Sequence, residues 1–277
     1  MGVQLMFRCR CFSHGAQPFR ALLAAAVYLA FASSCRAGIV LYDDATMQLP
    51  QDQAWLTYAA SGLVTQSVVA GTGVRLTTSD AVAAGYSNRN LLGTLKNPGF
   101  PSLDRNSGFS LDFELQIHAE SHTSADRAGF SAIVLADDGM GIELGFWQDQ
   151  VWAQSASPLF THAESANFDT TAAEVAWSLS ILGNTYALFG DSALVLSGSL
   201  RNYSAVGIPP YTGSNFLFLG DNTTNASADF TLGSVSISAV PEPSTFFMAS
   251  LVCCLLGRRR SHGKLRSHAS TELVASP

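Results

Sequence analysis

Phe109-Ser110-Leu111-Asp112-Phe113-Glu114-Leu115-Gln116-Ile117-His118 alternates apolar and polar residues without a break. A side-chain period of two belongs to a β-strand, so the odd positions face a core and the even positions face away from it. Val175, Trp177, Leu179 and Ile181 repeat the pattern, and Gly183-Asn184 supplies a turn into Tyr186-Ala187-Leu188-Phe189. Gly190-Asp191 turns again into Leu194-Val195-Leu196. Asn215-Phe216-Leu217-Phe218-Leu219 and Phe230–Ile237 read as two further strands, and Gly233 stands where the apolar phase slips by one, as a β-bulge requires. Only Thr170–Ala176, behind a possible Asp169 cap, offers a short helical turn. Residues 201–214, with Pro209-Pro210, read as a long loop. Short strands at a spacing of about 8–12 residues, punctuated by glycine, predict an all-β sandwich or barrel rather than a parallel α/β sheet.

Both ends of the chain differ from this middle. Arg8, Arg10 and Arg20 precede the apolar run Ala21–Ala32, and small residues follow up to Ala37. A basic segment, a short apolar run and small residues make a secretory signal peptide, residues 1–37, with cleavage expected after Ala37. The alternative is lipoprotein processing at Cys35. At the other end Val240-Pro241-Glu242-Pro243-Ser244-Thr245 forces an extended segment, because proline fixes its own φ and biases the residue before it away from α. An uncharged run to Gly257 follows, closed by Arg258-Arg259-Arg260, whose charges hold the tail on the cytoplasmic side of a membrane. The 13 residues Thr245–Gly257 make a short apolar anchor helix. At about 1.5 Å per residue it spans roughly 20 Å, less than a hydrocarbon core of about 30 Å. Insertion at the inner membrane is therefore expected to be transient.

Box, apolar run and basic cluster in this order resemble the PEP-CTERM sorting signal of bacterial exported proteins, over residues 240–260. The resemblance implies an exosortase-type sorting protease as partner, and delivery to the cell surface or extracellular matrix. It implies an address and no activity. The tail 261–277, expected to be disordered and cytoplasmic, is longer than the usual ending of that family.

The span between the ends, 38–240, suits one large all-β domain. All five cysteines (Cys9, Cys11, Cys35, Cys253 and Cys254) lie outside it, so it carries neither disulfide nor thiol chemistry. It holds 6 Lys/Arg against 19 Asp/Glu, a formal charge of −13, where the whole chain stands at −6. Such a charge repels nucleic acid and anionic membrane surfaces, and favours cations such as calcium or neutral partners such as sugars. The order of strands and turns over 175–238, together with 109–154, resembles concanavalin A-like lectin/glucanase domains, laminin-G-like modules among them. Bacterial surface proteins of the choice-of-anchor type are similar in architecture. The resemblance implies a jelly-roll β-sandwich whose curved sheet often binds glycans or calcium.

Three groups of residues carry candidate chemistry. In Ile142-Glu143-Leu144-Gly145-Phe146-Trp147, alternation sets Glu143, Gly145 and Trp147 on one face, and Trp152 points with Gln154. A carboxylate beside two tryptophans, with a glycine leaving room, suits a surface on which sugars stack. The string also resembles the Glu-Leu-x-x-Trp nucleophile motif of some jelly-roll endoglucanases. Retaining hydrolysis needs a second carboxylate at about 5–5.5 Å, for which Glu120, Glu164 and Glu174 are candidates. His118-Ala119-Glu120-Ser121, followed by His122, recurs as His162-Ala163-Glu164-Ser165. On a regular strand His118, Glu120 and His122 share a face and offer a divalent metal two imidazoles and a carboxylate. A polar ligand pocket of His122, Arg127, Glu143, His162 and Glu164 is the alternative. Asp137-Asp138-Gly139, Asp43-Asp44 and Gly220-Asp221-Asn222 are acidic turns with oxygens for calcium, although Asp and Asn also occupy turns for backbone geometry. These readings lead to a non-enzymatic exported sandwich with weak glycan contact. A jelly-roll glycoside hydrolase using Glu143 and a purely structural matrix protein are the alternatives.

Overall fold

A computed structural model of the protein describes residues 38–59, 62–90 and 93–239. The signal peptide, the sorting residues Pro241, Glu242, Pro243, Arg258, Arg259 and Arg260, the anchor helix and the tail all lie outside the described residues.

Sixteen strands are described. In chain order they are β1 (Ile39–Tyr42), β2 (Leu56–Tyr58), β3 (Thr65–Val69), β4 (Gly73–Thr77), β5 (Ala84–Ser87) and β6 (Phe109–His122). There follow β7 (Phe130–Leu135), β8 (Met140–Phe146), β9 (Gln150–Ala156), β10 (Leu159–Asn167) and β11 (Val175–Leu182). The last five are β12 (Thr185–Gly190), β13 (Ala193–Ser199), β14 (Arg201–Asn202), β15 (Phe216–Asp221) and β16 (Ala226–Ala239). They form two eight-stranded sheets. Sheet A runs β13-β12-β11-β6-β16-β4-β3 with β1 added on β16, and sheet B runs β10-β9-β8-β7-β15-β5-β2 with β14 added on β8. Every pairing is antiparallel.

The alternating stretch that opens at Phe109 becomes β6, paired with β11 on one side and β16 on the other. Phe109, Leu111, Phe113, Leu115 and Ile117 all face the core, which sheet B closes from the opposite side with Phe130, Leu144, Phe146 and Leu219. Phe146 centres an aromatic group there, edge-on to Phe130 at 5.4 Å and to Trp177 at 5.1 Å between ring centroids. Such pairs add to what burial alone contributes. The bulge expected at Gly233 is present: the β6–β16 register shifts between Leu232 and Val235. A Cβ at Gly233 would stand 2.7 Å from a Glu114 carboxylate oxygen, which accounts for the glycine.

Two expectations need correction. Thr170–Ala176 forms no helix; Asp169 Oδ1 accepts from the backbone N–H of Thr171 and Ala172 and closes a turn instead, after which β11 begins. Residues 201–214 are more than a loop. They begin as β14, pass through a short 3₁₀ turn at Ser204–Val206, and place Tyr203 and Tyr211 against the outer face of sheet B. There Ile133, Leu135, Phe216 and Phe218 complete a second, smaller core. This roof explains why β7 and β15 are buried at every position rather than at alternate ones.

Candidate functional site

Glu143 leaves β8 on the outer face, as alternation requires, while Ile142, Leu144 and Phe146 enter the main core. The roof seals it. Its Oε2 accepts a hydrogen bond from the Tyr211 hydroxyl at 2.6 Å and its Oε1 accepts from Asn222 Nδ2 at 2.8 Å. Only 2% of the residue is exposed. Burial pushes its carboxyl above the usual range, against the two hydrogen bonds and the more distant Arg127 charge. None of the groups acting on it is a carboxylate, and both oxygens are engaged.

Beside Glu143, at the open end of the same face, four rings converge. Trp147 lies flat against His122 at 4.1 Å and 7° and meets His162 edge to face at 4.8 Å. Trp152 packs on His162 at 3.8 Å and on Trp147 at 5.9 Å. Trp147 is half-buried, and its indole N–H donates to the Arg127 carbonyl at 2.7 Å. The Arg127 guanidinium rests over the Phe160 ring, 4.5 Å from its centroid. Trp152 is 1% exposed and lies across Gly145, where a Cβ would come within 2.6 Å of its ring. The room left by this glycine is therefore used by Trp152 itself.

Four polar atoms in this region are buried without a hydrogen-bond partner: Trp152 Nε1, His162 Nε2 and both Gln154 side-chain atoms, Oε1 and Nε2. They are neighbours, because Gln154 pairs with His162 across β9–β10 and shares its face with Trp152. Burial also pulls the His162 imidazole below its usual pKa, although the Asp126 carboxylate at 3.4 Å favours the proton.

A β-bulge divides the expected metal trio. The β6–β16 register slips between Ile117 and Ala119, which changes the phase of the strand. His118 stays with Thr231 Oγ1 at 2.7 Å, whereas Glu120 sits opposite the core residue Ala228 and reaches the His122 imidazole at 3.0 Å. His118, Glu120 and His122 therefore do not share a face. Asp137 accepts from Ser102, and Asp138 from Arg105 and the Met140 N–H. Among the described residues no three His, Cys, Asp or Glu side chains gather as a metal would require.

A second bulge removes Glu164 from the pocket expected with His162. Between His162 and Ser165 strand β10 gains one residue on β9, and Glu164 turns to Arg201, to the Tyr186 hydroxyl and to Gly198. The structure thus joins His122, Arg127, Trp147, Trp152 and His162, places Glu143 beneath the roof beside them, and leaves Glu164 out. Tyr203, Tyr211 and Phe160 were not foreseen. Nothing in their local pattern marks them, since each belongs to the face only through the path of a loop or a bulged strand.

No protein-family model matches the sequence, and no curated protein matches it. Several solved structures are similar in fold. A carbohydrate esterase from the Shiga toxin-encoding bacteriophage phi24B is 11% identical over 69% of this chain and 92% of its own, with a TM-score of 0.46. The exoplasmic/lumenal domain of VIP36 in its calcium- and mannose-bound form is 10% identical over 68% and 84%, with a TM-score of 0.41. The Crh5 transglycosylase in complex with NAG is 14% identical over 76% and 90%, with a TM-score of 0.42. Likenesses this distant carry no function across, and the two-sheet assignment rests on the strand pairing itself.

Proposed function

We propose that the chain is an exported β-sandwich that binds glycans without cleaving them, through the cluster of His122, Trp147, Trp152 and His162 with Arg127 at its rim. The observation that carries this reading is the half-buried Trp147 stacked on the exposed His122, with the half-buried His162 edge-on to it and Trp152 packed behind, a partly accessible aromatic set on an outward sheet face. Sugars bring hydroxyls that both donate and accept, and an apolar ring face that stacks on aromatics. The sealed position of Glu143 speaks for binding over hydrolysis. The acidic balance of 38–240 disfavours nucleic acid, whose backbone carries a charge at every phosphate.

In this reading the signal peptide directs export. The segment from Pro241 to Arg260 then holds the chain briefly in the inner membrane until an exosortase-type protease delivers it to the surface or matrix. Calcium would enter as an accessory at an acidic turn, not as part of the cluster.

Two measurements test the proposal. On a glycan array, Trp147→Ala is expected to weaken polysaccharide binding about tenfold or more while Trp147→Phe retains most of it, in line with the worth of an aromatic stacking contact. Equal binding by Trp147→Ala and the unmodified protein would overturn the site. The intact mass of the exported protein is expected to show loss of the C-terminus near Pro241–Pro243, and a mature species that keeps Arg258–Pro277 would count against sorting.

A further inference from the structure

A second recess opens on the same sheet, away from the aromatic cluster. It has a volume of about 260 Å³ and is lined by Arg89, Asn90, Gly93, Pro209, Pro210, Thr212, Gly213 and Phe216. Arg89 follows β5, four strand spacings from β9 in sheet B, or about 19 Å at roughly 4.8 Å per strand. The two regions are therefore separate.

Arg89 is unusual in so acidic a domain. Arg75, Arg105 and Arg201 each hold a carboxylate, and Arg127 lies over an aromatic ring. Among the described residues Arg89 pairs with no carboxylate, and its Nε is buried without any partner. A guanidinium remains charged under all ordinary conditions, and a partly desolvated cation is stabilised strongly by an arriving anion. Its planar fork matches a carboxylate at two oxygens.

The remaining walls select the rest of the ligand. Phe216 and the cis Pro209-Pro210 pair are apolar and ring-shaped, suited to one face of a sugar. Thr212 is exposed and brings a hydroxyl. Asn90 uses its Oδ1 to cap the Thr94 N–H, which leaves its amide N–H groups to donate. The volume lies just below the range of about 300–1,000 Å³ for drug-sized ligands, so it accepts one pyranose ring and not an oligosaccharide. We infer that this recess is a subsite for a uronic acid residue, with Arg89 holding the carboxylate, Phe216 and Pro210 the apolar face, and Thr212 and Asn90 the hydroxyls.

The test is a chemical-shift titration of the full-length protein with D-galacturonate, D-galactose and acetate. Galacturonate is expected to bind about tenfold or more tightly than galactose, the worth of one charge-assisted contact, more tightly than acetate, which lacks the ring and hydroxyl contacts, and to weaken as salt rises. Its shifts should fall on Gly93 and residues 212–213 and spare the indole signals of Trp147 and Trp152. Arg89→Met should abolish the preference, and Arg89→Lys should keep part of it. Equal affinity for galactose, acetate binding as tightly as galacturonate, shifts confined to the indoles, or an undiminished preference in folded Arg89→Met would each overturn the assignment. The ligand preference and the shift map of the unmodified protein decide the matter even if Arg89→Met fails to fold.

Discussion

The two sheets share an interior and differ on their outer faces. Outside sheet A, Asp112 accepts from the hydroxyls of Ser178, Ser110 and Ser238, at 2.5, 3.2 and 3.3 Å, and Arg75 holds Asp229 in an exposed ion pair. These polar groups are satisfied by partners on the same or neighbouring strands. Outside sheet B a roof of loop residues covers Glu143, and the uncovered end gathers four rings around polar atoms that the protein leaves unpaired. Self-satisfied polar faces are solvated surface. Among the described residues, the half-exposed aromatic group of His122, Trp147 and His162 lies on sheet B.

The sharpest way to break this contrast is to remove one acid from each face. Glu143→Ala orphans Tyr211 and Asn222 beneath the roof and is expected to cost about 3 kcal/mol in urea unfolding. Asp112→Ala leaves three hydroxyls near water and should cost about 1 kcal/mol or less. Equal costs would mean that the roof of sheet B does not exclude water.

A smaller effect follows from the close approach of Trp152 to Gly145. Gly145→Ala puts a methyl group into the indole ring and should destabilise the protein by about 1–3 kcal/mol, with a changed tryptophan emission. Unchanged emission and stability would show that Trp152 does not rest on β8.

The gentlest comparison uses pH. Burial raises the carboxyl of Glu143, so the folded state keeps that proton longer than the unfolded chain does. The resulting stability is full below the unfolded value near 4.5 and is lost as pH rises through the folded one. The Asp229 carboxyl is held low by Arg75, so its contribution is present above the unfolded value near 3.8 and is lost as pH falls through the folded one. Thermal melts across pH should therefore show Glu143→Gln more stable than the unmodified protein toward alkaline pH, and Asp229→Asn less stable above about pH 3.8, with both differences vanishing in acid. A Glu143→Gln difference confined to acid pH would contradict the buried assignment.

The candidate site was legible only in part. Alternation in 142–147 put Glu143 and Trp147 on the outer face, and Trp152 with Gln154, because on a regular strand the pleat alone decides the side. The same rule failed at His118 and Glu164, each next to a bulge that no glycine announces. One extra residue reverses every side chain beyond it, which split the metal trio and sent Glu164 to Arg201.

What the sequence determined by itself follows from local chemistry. The alternation of Phe109–Ile117 and Val175–Ile181 dictates strands with one buried face, the glycine at 233 marks its bulge, and the cysteine-free acidic middle limits redox and nucleic-acid chemistry. The rest is long-range and belongs to the fold. The path of 201–214 over sheet B turned Glu143 from an outward carboxylate into a sealed one, and the pairing of β9 with β10 brought His162 to Trp152. Contacts between residues tens of positions apart depend on how loops close and strands register, and no window of neighbouring residues contains that information.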